Sequence, residues 1–124
     1  MEIINEICIA ATYDLETDSV FQHFGHTRNF KIYRIRNGKV VDSRVIDNGG
    51  FGHHDLASYL KELGVSTLIL GNRGQGAIDA LNNAGISQIA GVRGNPDEAV
   101  ESFLKGTLVS KDNGFGCVDL DGVK

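Results

Sequence analysis

Two rhythms of apolar residues alternate along this chain. Short unbroken apolar runs give way to stripes spaced three and four residues apart, and glycines stand at most of the changes. Glu6-Ile7-Cys8-Ile9-Ala10-Ala11 is the first run; polar residues bound it, and it predicts a buried strand. Thr12 to Asn29 then shows no clear period, and a loop of that length inside a compact domain is usually functional or mobile. Phe30 to Arg36 and Lys39 to Asp47 are rich in Ile, Val and Tyr and are separated by Asn37-Gly38. Asn-Gly readily takes the positive φ angles of a type I′ turn, so the two segments predict an antiparallel hairpin.

The rhythm changes after the glycine-rich connection Asn48-Gly49-Gly50-Phe51-Gly52, which leads to His53-His54-Asp55. Leu56, Tyr59, Leu60 and Leu63 form one helical stripe, ended by Gly64. Val65 to Leu70 is the next strand. Gly74 to Ala84 is a second helix, with Ala77, Ile78, Leu81 and Ala84 inward and Gly85 at its end. Ile86 to Val92 is a further strand, interrupted by Gly91. Asn95-Pro96-Asp97-Glu98 is a strong helix start: a capping side chain, proline in the first turn and an acid three residues after the cap. Ala99, Val100, Phe103 and Leu104 make its buried stripe, and Gly106 stops it. The segment Thr107-Leu108-Val109 reads as a short final strand, and the Gly- and Asp-rich residues 111–124 as a tail that is mobile or forms a short edge strand.

The resulting order, β-β-β-α-β-α-β-α over residues 1–110, implies an α/β domain with a mixed sheet and helices on both faces. Because the second strand of the opening meander runs backwards, the connections after strands one, three, four and five share one end of the sheet. Ligands of open α/β sheets bind at the carboxyl ends of the strands. All four histidines fall there: His23 and His26 in the first loop, His53 and His54 in the glycine-rich connection. So do Arg28, Arg73 and Arg93, and the loops Gly71-Asn72-Arg73-Gly74-Gln75-Gly76-Ala77 and Gly91-Val92-Arg93-Gly94. Imidazoles, guanidinium groups and backbone N–H donors at a helix start together suit an anionic ligand, including one that carries a metal. Each group also has a plainer role, as a solvated loop histidine, a surface ion pair or a tight strand-to-helix turn.

Composition narrows the classes. A chain of 124 residues fits one domain with a core of its own. A net charge of −4 without a Lys/Arg cluster argues against bulk nucleic-acid binding. No apolar run is long enough to span a bilayer, and Met1-Glu2-Ile3-Ile4-Asn5-Glu6 is acidic where a signal peptide is basic, so the expectation is a cytoplasmic protein. Cys8 and Cys117 make neither a disulfide framework nor a self-contained zinc site.

Chemical readings can also be removed by spacing. Gly74-x-Gly76 lacks the third glycine of a dinucleotide loop, and no acid stands at the tip of the next strand. No Gly-Lys-Ser/Thr is present for a Walker-type loop; for a two-metal site Asp14, Glu16 and Asp18 are close but in a loop, with no acid in the apolar core of strand one; and no nucleophile has an arguable base. Catalysis has no visible machinery.

His23-Phe24-Gly25 after the first strand, Phe30-Lys31-Ile32-Tyr33, Gly52-His53-His54, and Gly71-x-x-Gly74-x-Gly76-Ala77 follow one another in a fairly specific order. Over Ile7 to Leu108 the chain resembles the dinitrogenase iron–molybdenum cofactor biosynthesis family. That family includes nitrogenase cofactor carriers, a domain fused to the cofactor-synthesising radical enzyme, and small stand-alone proteins. The resemblance implies a ribonuclease-H-like α/β/α sandwich and a non-catalytic role in binding or carrying iron–sulfur or iron–molybdenum clusters, with a cofactor-assembly protein as partner. It makes His23 the best single candidate for a cluster ligand, with His53 and His54 on the matching connection. Two departures stand out. The Cys/His-rich insertion of many small members is reduced here to Gly49–His54, and Asn72-Arg73 occupy positions where small apolar residues are common. The residues themselves leave a second reading open: a regulatory module that binds a small anionic metabolite or nucleotide without metal, through Arg73, Gly74 and Gly76.

Overall fold

The computed structural model of the chain describes residues 6–50, 55–108 and 110. Strands β1 (Glu6–Asp14), β2 (Ser19–Val20), β3 (Asn29–Arg36), β4 (Lys39–Asp47), β5 (Thr67–Ile69) and β6 (Ser87–Ile89) alternate with helices α1 (Leu56–Glu62), α2 (Gln75–Asn83) and α3 (Pro96–Leu104). The sheet order is β4-β3-β1-β5-β6, with β2 paired to the far end of β1. β1 is antiparallel to β3 and parallel to β5, and β5 is parallel to β6, so this is the mixed sheet expected.

Period-two alternation along β1 sorts its side chains into two cores. Ala10 joins Phe30, Ile32, Leu68 and Leu70 beneath α1 and α2, whose Leu56, Leu60 and Leu81 are buried there. Ile9 and Ala11 join Tyr33, Ile35 and Ile69 beneath α3, which contributes Ala99 and Val100. The sheet therefore lies between two helix layers as an α/β/α sandwich. Each fully buried Leu or Ile stabilises it by roughly 1.5–3 kcal/mol relative to exposure.

Local signals set the boundaries well. Asn37 and Gly38 have φ of 53° and 81°, as the type I′ turn between β3 and β4 requires. Asn95 caps α3, its side-chain oxygen accepting from the N–H groups of Asp97 at 2.8 Å and Glu98 at 3.3 Å.

Three segments depart from the sequence expectation. β1 does not stop at Ala11: Thr12 and Tyr13 continue the ladder against Phe30 and Asn29, and Tyr13 and Asp14 also pair with β2. The aperiodic stretch Thr12–Asn29 thus contains the end of β1, β2 and a 3-10 turn at Phe24–His26. The final strand at Thr107-Leu108-Val109 is not formed by Thr107 and Leu108. Their N–H groups return to the Ser102 carbonyl at 2.9 and 3.3 Å, which closes the end of α3 instead of extending the sheet. Val109, the tail 111–124, and His53 with His54 lie outside the described residues.

Candidate functional site

With β1, β4, β5 and β6 mutually parallel, the connections that follow them meet at one end of the sheet. Backbone hydrogen bonds lace three of these connections together. The Asn72 N–H donates to the Gln22 carbonyl at 2.7 Å, and the Phe24 N–H donates to the Asn72 carbonyl at 3.1 Å. Gly91 donates to the Gly71 carbonyl at 2.9 Å, and Val20 to that of Gly94 at 2.8 Å. The Gln22 side chain completes the join, its Nε2 donating to the carbonyls of Val20 at 2.9 Å and Val92 at 3.0 Å.

Phe24 explains why the His23-Phe24-Gly25-His26 segment takes its position. Its ring is 1% exposed and packs into the core under α1 and α2, while His23, Gly25 and His26 on either side of it are exposed. Burying one aromatic ring in this way fixes a short turn whose flanking imidazoles face solvent. Those imidazoles border a cleft of about 280 Å³ between the 3-10 turn and the start of α2, completed by Asn72, Arg73 and Gly74.

The three glycines of the β5–α2 loop have different reasons. A Cβ on Gly71 would stand 2.7 Å from the Cα of Gln22, so Gly71 is there for close backbone approach to the first loop. Gly74 and Gly76 are exposed, and a Cβ on either would meet nothing within 4 Å. No side chain caps α2 at Gly74, so its leading N–H groups and open flank border the cleft.

The arginines separate. Arg73 lines the cleft but is 6% exposed, and its Nε donates to Gln88 Oε1 at 2.6 Å. Gln88 in turn donates to Asn82 Oδ1 at 2.9 Å, so this guanidinium fastens the loop onto β6 and α2. Arg28 is exposed and borders a neighbouring cleft of about 250 Å³ that shares His26. Arg93 is exposed on the turn between β6 and α3 and lines neither cleft. Asn48, at the start of the connection carrying His53 and His54, donates to the Thr27 carbonyl at 3.1 Å, which ties that connection to the first loop. His53 and His54 themselves lie outside the described residues, among which no three His, Cys, Asp or Glu side chains gather closely enough to hold a metal.

Sequence reading missed Gln22, and it noted Asn72 only as a departure from the family pattern, not as a residue that joins the two loops. The available signal for Gln22 was its position, one residue before His23. A larger cleft of about 400 Å³ opens at the opposite end of the sheet, beside Cys8, Arg34, Asp42 and Arg44. Burial pushes the Cys8 thiol pKa up, against a lowering influence from the Arg44 charge. Among the described residues, no histidine lines that cleft. No helix among the described residues is long and apolar enough to cross a membrane.

The chain is 28% identical over 99 residues to an uncharacterised protein of Methanocaldococcus jannaschii, covering 76% of this chain and 84% of that protein. Among solved structures, PH0822 superposes with a TM-score of 0.78 at 26% identity, covering 86% of this chain and 98% of that one. The apo form of the orange protein from Desulfovibrio gigas superposes with a TM-score of 0.69 at 26% identity, covering 83% and 91% of the two chains. A family model described as dinitrogenase iron–molybdenum cofactor matches residues 5–106, and the chain belongs to that family.

Proposed function

We propose that this protein is a non-catalytic carrier for an anionic metal–sulfur cluster, of iron–sulfur or iron–molybdenum type, received from and passed to cofactor-assembly proteins in the cytoplasm. The observation that carries the reading is the cleft where the exposed His23 and His26 imidazoles face the uncapped start of α2. Imidazole supplies a neutral metal ligand, and helix-start N–H groups favour the negative charge of a cluster. The donor set fits cargo held at one edge: two exposed imidazoles beside a shallow cleft leave most of a cluster's surface open to a receiving protein. The open space around Gly74 and Gly76 leaves room for a bulky ligand against the backbone. Membership of a family described by the dinitrogenase iron–molybdenum cofactor supports the cofactor-handling role.

The metal-independent reading depends on Arg73 as an anion clamp. With that guanidinium buried against Gln88, a small metabolite would rely on backbone donors and the His23, His26 and Asn72 side chains of the cleft, so the carrier reading has the stronger support.

The test is anaerobic incubation with isolated iron–molybdenum cofactor or a preformed iron–sulfur cluster, followed by desalting and metal analysis. Retained metal with visible charge-transfer absorption is expected, and His23→Ala should retain at least about tenfold less while keeping the parent's thermal transition, since its side chain is exposed. Absence of retained metal, or equal retention by His23→Ala, overturns the assignment. A thermal shift with nucleotide that persists in chelator would favour the metabolite reading instead.

A further inference from the structure

β4 is an edge strand with an unusual surface. Its only strand neighbour among the described residues is β3, and all nine of its positions except Ile46 are exposed. Edge strands of stable monomers are commonly short, bent, or guarded by inward-pointing charge. This one is about 30 Å long at the usual rise per residue. It exposes Val41 and Val45, at 48% and 41%. A bulge at Val41, which the register against β3 skips between Arg34 and Ile35, bends its first end only.

The sequence of this edge is self-complementary about Ser43. Two identical strands related by a two-fold axis must pair antiparallel, with one residue facing its own copy and the helix layers of both copies on matching sides of the sheet. Centring on Asp42 or on Arg44 would set like charges face to face. Centring on Ser43 sets Asp42 opposite Arg44 of the second copy, and Arg44 opposite its Asp42, with Val41 and Val45 opposed on either side. Opposite charges and β-branched residues are the favourable cross-strand pairs, and like charges directly opposite are unfavourable.

Among the described residues of one chain these charges are incompletely matched. The ion pairs among the described residues are Lys31–Asp97 and Arg36–Glu6, and neither Asp42 nor Arg44 belongs to one. Arg44 stands opposite the apolar Ile32 of β3, whereas Asp42 stands opposite Arg34. A second copy in the Ser43-centred register would extend that row on one face of the sheet as Arg34, Asp42 and the added Arg44, with charges alternating. It would also set an acid beside each Arg44 on the rim of the larger cleft.

The geometry points to β4 as the seam of a homodimer, in which two copies join antiparallel about Ser43 into one continuous sheet. This seam lies at the opposite edge from β6, and its residues are separate from the cleft with His23 and His26. Dimerisation and cargo binding are therefore independent properties.

Sedimentation velocity on the full chain across a micromolar concentration series tests the seam. A concentration-dependent dimer is expected. Arg44→Asp should weaken it by about tenfold or more, because symmetry places the new Asp–Asp opposition in the interface twice. The double exchange Asp42→Arg with Arg44→Asp should recover part of the parent association, because it restores opposite charges across the seam while setting two arginines opposite each other between β3 and β4. Ser43→Cys should form a covalent dimer on mild oxidation faster than the parent does, since residues paired across such an axis have Cα atoms about 4.5–5.5 Å apart, within disulfide range. A monomer at every concentration overturns the proposal. So does a dimer indifferent to the charge reversal, which would mark another surface or the 111–124 tail as the contact, or a Ser43→Cys variant that cross-links no faster than the parent.

Discussion

The Cα of Gln22 lies only 2.7 Å from the position a Cβ on Gly71 would occupy. Two loops that are far apart in sequence therefore touch backbone to backbone, and the His23 turn rests directly on the end of β5.

Gly71→Ala should consequently destabilise the protein by about 1–3 kcal/mol, the usual cost of forcing extra volume into packed surroundings. Gly76→Ala meets no neighbour and replaces a helical glycine in α2, so it should stabilise by about 0.5–1 kcal/mol. Chemical denaturation of the two variants beside the parent checks both signs. Equal effects at the two positions would contradict the different roles assigned to these glycines.

Phe24 is the buried anchor of the turn that presents the imidazoles. Phe24→Ala should cost about 3–5 kcal/mol, and Phe24→Leu clearly less, because leucine refills part of the cavity. Hydrogen exchange should show the amides of Phe24 and Asn72, which lie at the junction of the two loops, losing protection first in Phe24→Leu. Uniform loss across the sheet would show that the ring supports the whole core and not this turn in particular.

On the other face, one charged cluster joins β1, β3 and α3. Tyr33 donates to Asp97 at 2.5 Å, Lys31 pairs with Asp97 at 2.9 Å, and the Lys31 ammonium lies 5.7 Å from the ring centres of both Tyr13 and Tyr33. The hydrogen bond from Lys31, then that from Tyr33, hold the Asp97 carboxyl below the usual carboxylate range. A depressed native pKa favours the folded state once the unfolded group would be ionised, above about pH 4. That contribution falls away as the pH drops below this point and is gone below the native value. Asp97→Asn should remove this part of the acid sensitivity, and thermal unfolding of both proteins from pH 3 to pH 7 measures the difference. Parallel stability curves for parent and variant would refute the linkage.

The same cluster acts in the opposite sense at high pH. The Tyr13 hydroxyl donates to Asp18 at 2.6 Å, and that bond, followed by burial and nearby carboxylates, pushes its pKa up to about 12. Burial first, then the bond to Asp97, raises Tyr33 as well. Raised phenol pKa values stabilise the fold below the ordinary value near 10, and the contribution from Tyr13 is lost as pH climbs through about 12. Ultraviolet titration should therefore find at least two of the three tyrosines, Tyr13 and Tyr33, still largely protonated at about pH 11 in the folded protein. Three phenolates at that pH, with the fold intact, would contradict it.

The sequence by itself determined the elements whose causes are local. The Asn37-Gly38 turn, the Asn95 cap and the apolar stripes of the three helices each depend on residues within a few positions of one another, so short-range pattern carries them. Strand order then placed the connections that follow β1, β4, β5 and β6 at one end of the sheet through connectivity alone. What only the tertiary structure decided were pairings made at long range. Tyr13 continues β1 because Asn29 of β3 lies beside it, and Thr107 and Leu108 leave the sheet because the end of α3 captures their N–H groups. Arg73 turned inward because Gln88 of β6 offers its side-chain oxygen, and Gly71 is constrained by the close approach of Gln22. Periodicity records how one segment meets water and core, whereas these outcomes depend on which distant partner a backbone or side-chain group reaches first.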